Sequence, residues 1–242
     1  MRCCLYAAAL SACCVIVAPG SALAGSLPAG WTCSGSCGTD GADGDVPLSP
    51  LGNPAYEYLT TTGAPMGVGW NPYGSASPTN GSELITNTFS AVTGQNLNYY
   101  FDFITSDGGQ YADNAWAALY SATSGLPVAE LWNITTAQST YNIGLSTVSW
   151  LGSWSGQCFA GGCGTTGWEQ VNYTVTANDN YYLAFGVTNS LDELYDTGMA
   201  VDGVSIGGQS ITVGVVPEPP SWILVGAALV GVFGAGRRAK SL

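Results

Sequence analysis

The side chains of this chain that could take part in chemistry are almost all acidic. Its 242 residues include 16 Asp and Glu, 4 Lys and Arg and no His, which gives a formal net charge of −12. The basic residues are Arg2, Arg237, Arg238 and Lys240, so residues 3–236 carry no positive side chain. A carboxylate in that span must therefore stay in water or bind a cation from outside the chain.

The missing cations exclude several kinds of function. Binding to a nucleic-acid backbone needs Lys or Arg to release counterions, and an anionic lipid surface repels an acidic body. Ser-His-Asp and Cys-His catalysis lack their base, Schiff-base chemistry and a P-loop lack their lysine, and His-based zinc or haem ligation is excluded. We therefore expect no nucleic-acid partner and no enzymatic activity.

Two groups of Asp residues could supply oxygen ligands to calcium. Asp107 and Asp113 lie in one predicted strand-loop region, and Asp192, Asp196 and Asp202 lie in another. Loops that carry Asp, Asn and Gly provide the hard ligands and tight turns that calcium favours. The pattern predicts one structural calcium, held by a residue of the first group together with one of the second. The alternative is that these residues only mark turns.

Glycoside hydrolysis is the one familiar reaction that needs only two carboxylates. The available glutamates are Glu57, Glu83, Glu130, Glu169 and Glu193. No spacing singles out a pair, and a catalytic pair needs its carboxyl groups about 5–10 Å apart. A carboxylate-only glycosidase is therefore the least favoured alternative.

Aromatic side chains offer another way to bind a sugar. The chain has 8 Trp and 13 Tyr, and Trp150, Trp154 and Trp168 flank the loop between Cys158 and Cys163. Exposed rings stack on sugars, whereas most aromatic residues of a β-sandwich pack in its core. A carbohydrate-binding module, with calcium as an optional requirement, is thus the main alternative to a structural or adhesive role.

The elements that must position these residues are β-strands. Helical periodicity is nearly absent, and short β-favouring runs are separated by clusters of Gly, Asn, Asp and Ser. The segment 113–120 tolerates either a helix or a strand, and we predict a strand. The predicted strands are 83–89, 97–105, 115–121, 129–134, 147–151, 170–176, 181–188 and 201–206, with 210–215 as a possible ninth. This pattern predicts an all-β fold, an antiparallel β-sandwich of jelly-roll-like form.

The first 24 residues predict a cleaved signal peptide. Arg2 precedes an apolar run at 3–18, and Ala22-Leu23-Ala24 matches a small-residue cleavage site before Gly25. A permanent membrane helix and a lipoprotein signal ending at Cys13 are the alternatives. Export implies an oxidising compartment for the cysteines that remain.

Those remaining cysteines are Cys33, Cys37, Cys158 and Cys163. Four cysteines allow three connectivities. The local pairs Cys33–Cys37 and Cys158–Cys163 are favoured because each closes a short Gly- and Ser-rich loop. A four-thiolate zinc site is the alternative, and export and the lack of two-residue spacing argue against it.

The C-terminus has three parts in a fixed order. Val216-Pro217-Glu218-Pro219 forms a proline hinge, residues 222–236 form an apolar stretch, and Arg237-Arg238-Ala239-Lys240 forms a positive end. The apolar stretch is shorter than the roughly 20 residues that span a bilayer comfortably. The basic cluster places its end in the cytoplasm and the body across the inner membrane.

This tail resembles the PEP-CTERM sorting signal of Gram-negative bacteria. The resemblance carries over recognition roles for Pro217, Glu218, Pro219, Arg237 and Arg238. It implies that an exosortase, a membrane-embedded Cys transpeptidase, cleaves near the Pro-Glu-Pro motif and that the product is released or transferred to the cell surface. The family is typical of bacteria that make exopolysaccharide and biofilm, so exopolysaccharide is an implied partner.

Part of the body, roughly residues 85–206, also resembles one group of exported PEP-CTERM proteins with no assigned activity. Among its stretches are 101–107, 111–117 and 184–189. A further motif contains both Cys158 and Cys163, and the resemblance therefore favours their local pairing.

The chain is thus expected to contain a signal peptide at 1–24, a Cys/Gly/Asp-rich segment at 25–50, a β-sandwich at 51–215 and a sorting signal at 216–242. The leading hypothesis is an exported, exosortase-processed and non-catalytic protein of the surface or exopolysaccharide matrix. Its precursor would be held in the inner membrane through residues 222–236.

Overall fold

The computed structural model describes residues 25–42, 46–74, 77–107, 111–136 and 164–211. The strands in these ranges are β1 Thr32–Ser34, β2 Ser36–Asp40, β3 Tyr56–Thr60, β4 Pro78–Ile85, β5 Phe89–Ala91, β6 Asn96–Thr105, β7 Asn114–Ser121, β8 Pro127–Thr135, β9 Gly164–Thr165, β10 Glu169–Thr174, β11 Asp179–Ser190, β12 Thr197–Ile206 and β13 Gln209–Ser210. Within the described ranges, no helix has the length and hydrophobicity needed to cross a membrane. Both terminal signals, Cys158, Cys163 and the predicted strand 147–151 lie outside these ranges.

Two antiparallel sheets form a β-sandwich, which confirms the predicted fold class. Sheet I has the order β1-β4-β11-β7-β8, with β5 also pairing with β11. Sheet II has the order β10-β6-β12-β3-β2, with β9 pairing with β6 and β13 with β12. Strands that follow one another in sequence mostly lie in different sheets, so most of the pairing is non-local.

The core lies between the inner faces of β6 and β11. Their apolar residues alternate as predicted, and all of them are buried: Leu97, Tyr99, Phe101, Phe103, Tyr181, Leu183, Phe185 and Val187. Tyr99 packs edge-on against Phe185 with ring centroids 5.4 Å apart. Its hydroxyl also accepts a hydrogen bond of 2.8 Å from Trp132 Nε1, so the one polar group at this point has a partner.

Strand β7 confirms the prediction of a strand rather than a helix at 113–120. Ala115, Ala117 and Leu119 lie in the main core, whereas Trp116 and Ala118 belong to a separate cluster on the other side of sheet I. This two-residue alternation is that of a pleated strand, not of a helix. The small alanines allow the strand to be buried on both faces.

The strands of the N-terminal part of the sandwich were not predicted from the sequence. No strand was predicted at β1, β2 or β3, yet β1 pairs with β4 and β2 pairs with β3. The predicted strand 83–89 was also wrong in its extent, because β4 ends at Ile85 and β5 starts at Phe89. Strand β4 begins early, through polar residues and Gly81, where a Cβ would come within 2.4 Å of the Val187 carbonyl oxygen.

The disulfide Cys33–Cys37 is present, as predicted, with an S–S distance of 2.02 Å. It joins β1 in sheet I to β2 in sheet II at the corner where the chain crosses between the sheets. Gly35 makes this corner with a φ of +106°, and a Cβ there would lie 2.4 Å from Ser82 Oγ. Both the backbone angle and the lack of space therefore require glycine.

Candidate functional site

An aromatic surface lies on the outer face of sheet I. Tyr120 on β7 is directly opposite Tyr182 on β11. Their rings stack with centroids 5.0 Å apart and planes 12° from parallel. Both side chains are half-buried and remain accessible to solvent. We use "tyrosine platform" for Tyr73, Tyr120 and Tyr182 together with Glu83 and Glu130.

A small second core supports the platform from below. Trp116, Ala118 and Ala184 are buried on this face, and Ile85 and Tyr120 pack against them. Trp116 lies directly over Gly186, where a Cβ would meet its ring at 2.3 Å. Its Nε1 donates a 2.7 Å hydrogen bond to the Gly69 carbonyl oxygen. The glycine thus makes room for the indole, and the indole fixes the loop that crosses the face.

That loop adds further aromatic side chains beside the tyrosine pair. Gly69 is tightly enclosed, since a Cβ there would lie 2.5 Å from the Ser82 carbonyl oxygen. The next residue, Trp70, is 56% exposed, and Tyr73 is 45% exposed. A 2.8 Å hydrogen bond from the Tyr73 amide to Asn71 Oδ1 orders the turn. Exposed rings on an ordered loop are available for a ligand.

Two carboxylates lie within electrostatic reach of the tyrosines. Burial, and next the charge of Glu83, raises the pKa of Tyr120 to about 12 and raises the pKa of Tyr182 as well. Burial and the charge of Glu130 likewise raise the pKa of Tyr73. Glu83 itself has a raised pKa because it is partly desolvated. The tyrosine hydroxyls therefore stay protonated at neutral pH and can donate hydrogen bonds beside carboxylates.

The spacing of these carboxylates argues against hydrolysis. Glu83 is on β4 and Glu130 is on β8, three strands away in sheet I. Three spacings of about 4.8 Å put their strands about 14 Å apart, beyond the 5–9.5 Å of glycosidase pairs. Of the other candidates, Glu57 is buried in sheet II, and Glu169 and Glu193 are exposed on β10 and in the loop after β11.

Four of the five predicted calcium ligands lie at one end of the sandwich. Asp113 Oδ1 accepts from the Ser190 amide at 2.9 Å, and its Oδ2 accepts from Thr197 Oγ1 at 2.6 Å. Burial raises the pKa of Asp113 to about 8, and the charges of Asp107 and Asp192 contribute to the rise. The main-chain oxygen of Asp196 accepts from the Ser106 amide at 3.0 Å.

Asp202 lies elsewhere, on the outer face of sheet II. Its carboxylate accepts from Ser49 Oγ and, at 2.9 and 3.1 Å, from Asn53 Nδ2. The structure therefore places it outside the group formed by the other four. Nor do three acidic or Cys side chains of the described residues converge into a metal site by themselves.

A buried amide lies at the end of the sandwich that contains Asp107, Asp113, Asp192 and Asp196, which we call the acidic end. Asn189 is fully buried, and neither its Oδ1 nor its Nδ2 has a hydrogen-bond partner within the described structure. Thr188 pairs with Asn114, so one further step in the register places Asn189 opposite Asp113. An unsatisfied amide of this kind is rare in a protein interior. It supplies an oxygen to the space beside Asp113.

Trp168, the one described tryptophan of the predicted sugar-binding group, is half-buried on the outer side of sheet II. Its ring meets Tyr56 edge-on at 5.7 Å, and its Nε1 donates to the Pro47 carbonyl oxygen at 2.7 Å. Trp150 and Trp154 lie outside the described residues. The tyrosines of the platform were missed, although Tyr120 and Tyr182 stand at outward positions of strands whose inward positions are apolar. That alternation was the available signal.

Comparisons with known proteins assign no family to this chain. No family model and no curated protein matches it. Among solved structures, the K1 cleaved adhesin domain of Lys-gingipain from Porphyromonas gingivalis W83 has a TM-score of 0.36 and 17% identity, over 75% of this chain and 96% of that one. The K2 cleaved adhesin domain of Lys-gingipain has a TM-score of 0.41 and 15% sequence identity, over 76% of this chain and 92% of that one. TmCBM61 in complex with β-1,4-galactotriose has a TM-score of 0.36 and 8% sequence identity, over 74% of this chain and 89% of that one. Similarity this low assigns neither a ligand nor a site to this chain.

Proposed function

We propose that this chain is an exported, non-catalytic protein whose β-sandwich binds polysaccharide through the tyrosine platform. One observation carries the proposal, namely the stacked pair Tyr120–Tyr182 on an outer sheet face that is left accessible. Rings held in this way can stack on the apolar faces of sugar rings without losing further side-chain freedom. The tyrosine hydroxyls and the two carboxylates can then bind sugar hydroxyls.

The proposal includes jelly-roll connectivity for the sandwich. The eight principal strands form the orders β3-β12-β6-β10 and β4-β11-β7-β8. Such a double-sheet arrangement of eight strands is that of a jelly roll. It leaves the outer face of each sheet accessible unless a loop covers it.

A pull-down with alanine variants tests the binding site. The full-length chain, kept in detergent, is co-sedimented with exopolysaccharide from the producing cells. We expect Tyr120→Ala and Tyr182→Ala each to weaken binding about tenfold, since they remove ring contacts. The matched control is Tyr100→Ala, also half-buried but on the outer side of sheet II. Equal binding by the platform variants and the control would contradict the proposal.

Export and sorting follow from the terminal sequences alone. We expect Glu218→Ala, or Arg237→Ala with Arg238→Ala, to leave an uncleaved precursor in the inner membrane. Glu193→Ala, in an exposed loop, is the control. Fractionation and immunoblotting of the producing cells measure the outcome. Normal cleavage of both sorting variants would reject processing by an exosortase.

Calcium at the acidic end is a separate part of the proposal. Asp107 and Asp113, with the oxygen of Asn189, would bind it, and Asp192 and Asp196 flank the site. The support is the unpaired buried amide beside Asp113, in a body that has no basic side chain of its own. Oxygen ligands of this mixture are those that calcium prefers.

Thermal melting tests this site. We expect calcium to raise the Tm of the full-length chain by several degrees and a chelator to reverse the rise. Asp113→Asn should abolish the response, whereas the control Asp202→Asn should keep it. A Tm that does not change on chelation would remove calcium from the proposal.

A further inference from the structure

We infer that the tyrosine platform selects polysaccharides that carry protonated amino groups and rejects those built of uronic acids. This inference rests on the proposed function and adds the chemical class of the ligand. The argument uses the arrangement of Glu83 and Glu130 around the tyrosines and the absence of basic residues from the body.

Four of the five platform residues lie on consecutive strands of sheet I. In strand order they are Glu83 on β4, Tyr182 on β11, Tyr120 on β7 and Glu130 on β8. Glu83 stands opposite Gly186, which pairs in turn with Trp116, and Glu130 stands opposite Ala118. All of them are outward positions, because the intervening residues of these strands line the core. Glu130 is two positions and Glu83 four positions along the strands from the tyrosine pair. A polymer that runs from the tyrosine rings along β7 and β11 would therefore pass Glu130 on the β8 side and Glu83 on the β4 side.

None of the described residues is a Lys or Arg, so the described structure offers neither carboxylate a cation. The nearest basic residues in sequence are Arg2 and Arg237, at the two terminal signals. Within the described ranges, the Glu83 side chain makes no hydrogen bond or ion pair, although it is half-buried. A half-buried carboxylate without a partner is a costly arrangement, and an external cation relieves it.

A sugar ammonium group matches this environment in two ways. It forms a charge-assisted hydrogen bond with a carboxylate, and it is attracted to the face of an aromatic ring. The Tyr120–Tyr182 pair provides rings within the electrostatic reach of Glu83. A uronic acid polymer meets the opposite situation, because its carboxylates face Glu83, Glu130 and a body of net negative charge.

Titrations with three defined hexasaccharides test the inference. The probes are hexamers of glucosamine, N-acetylglucosamine and galacturonic acid, added to the full-length chain in detergent at low salt and about pH 6. We expect the glucosamine hexamer to bind about fivefold to tenfold more tightly than the acetylated one. The galacturonate hexamer should bind most weakly, and added salt should reduce these differences.

Charge-neutral variants locate the selectivity. Glu83→Gln combined with Glu130→Gln should lower the affinity for glucosamine hexamer several-fold more than the affinity for acetylated hexamer. The matched control is Glu169→Gln, an exposed glutamate of β10 in the opposite sheet, which should keep the preference. Circular dichroism of each variant checks that the sandwich is folded.

The possible outcomes separate this inference from the proposed function. If Tyr120→Ala weakens binding but the double Glu variant keeps the preference for glucosamine, the platform binds sugar and the inference is wrong. Tight binding of the galacturonate hexamer, or no binding of the glucosamine hexamer, also overturns it. If Tyr120→Ala changes no affinity, the proposed function fails together with the inference.

Discussion

The outer faces of the two sheets contain the same kinds of residue but use them differently. On sheet II, Val46, Tyr56, Ile104 and Ala200 form a buried cluster, and Trp168 packs against it. On sheet I, Trp116, Ala118 and Ala184 form a buried cluster, and Tyr120 packs against it. The difference lies in the geometry of the half-buried rings, because Trp168 meets Tyr56 edge-on whereas Tyr120 and Tyr182 stack with nearly parallel planes.

The carboxylates of the two faces also differ. Asp102 on sheet II accepts hydrogen bonds from Thr165 Oγ1 and Thr166 Oγ1, and Asp202 accepts from Ser49 and Asn53. On sheet I, no described residue bonds to the Glu83 side chain. Hydroxyl and amide donors therefore bond to one oxygen of Asp102 and to both oxygens of Asp202, while Oδ2 of Asp102 has no partner in the described structure.

Truncation of one aromatic on each face should give the largest contrast. Trp168→Ala removes a half-buried indole, its contact with Tyr56 and its hydrogen bond, so we expect a loss of about 3 kcal/mol in the free energy of unfolding. Tyr182→Ala should cost about 1 kcal/mol. Urea unfolding measures both. For polysaccharide binding we expect the reverse, so that Tyr182→Ala weakens binding and Trp168→Ala does not. Loss of binding in a folded Trp168→Ala protein would contradict this difference between the two faces.

The pH dependence of stability should come from the buried acids. Burial raises the pKa of Asp102 from 3.8 to about 6 and that of Glu57 from 4.5 to about 8. The folded state then holds protons that the unfolded state has released, so stability falls as pH rises from about 4 to about 8. For Asp102 the fall lies between pH 4 and 6 and amounts to about 3 kcal/mol.

Asp102→Asn should remove this part of the fall. Urea unfolding at several pH values, with a chelator present, measures the effect. Glu83→Gln, on the outer face of sheet I, is the control. We expect it to change the pH dependence of stability less than Asp102→Asn does, because the Glu83 carboxylate is partly in water. An unchanged profile in the Asp102→Asn protein would show that this carboxyl does not bind its proton more tightly in the folded state.

Opening the disulfide at the corner between the two sheets should have a smaller effect on stability than Trp168→Ala or the titration of Asp102. Replacing Cys33 and Cys37 with Ser opens a short disulfide loop, and the loop-entropy relation gives a loss of about 2 kcal/mol. Thermal melting measures the loss. Polysaccharide binding should be retained, because the corner pairs with β4, where Ser34 is opposite Glu83, and not with β7 or β11, which contain the tyrosine pair. Loss of binding in a folded variant would mean that the corner helps to position the platform.

Much of the sandwich could be predicted because alternation is a local signal. The apolar residues of 97–105 and 181–188 recur every second position, and the structure places strands β6 and β11 there. β1 and β2 contain Thr, Cys, Ser and Gly without such alternation. They become strands through pairing with β4 and β3, which local sequence does not reveal.

The candidate site was the less predictable part. Sequence reasoning named Glu83 and Glu130 only among five glutamates, and it named Trp168, which lies on the outer side of sheet II and not beside the tyrosine pair. Tyr120 and Tyr182 each occupy an ordinary outward position. They become a pair only because β7 and β11 are neighbours in register. The structure places four of the Asp residues at one end of the sandwich, and only the structure shows that the amide of Asn189 there is buried without a partner among the described residues.

The sequence by itself determined the charge character of this protein. With no basic side chain in residues 3–236, every buried or ligand-facing carboxylate lacks a cation from the body, whatever the fold. A two-residue period likewise determined that the body is built of strands. Only the tertiary structure decided which strands are neighbours, which face a loop covers and which carboxylates share a surface. Those outcomes depend on contacts between residues far apart in the chain, and no local pattern encodes them.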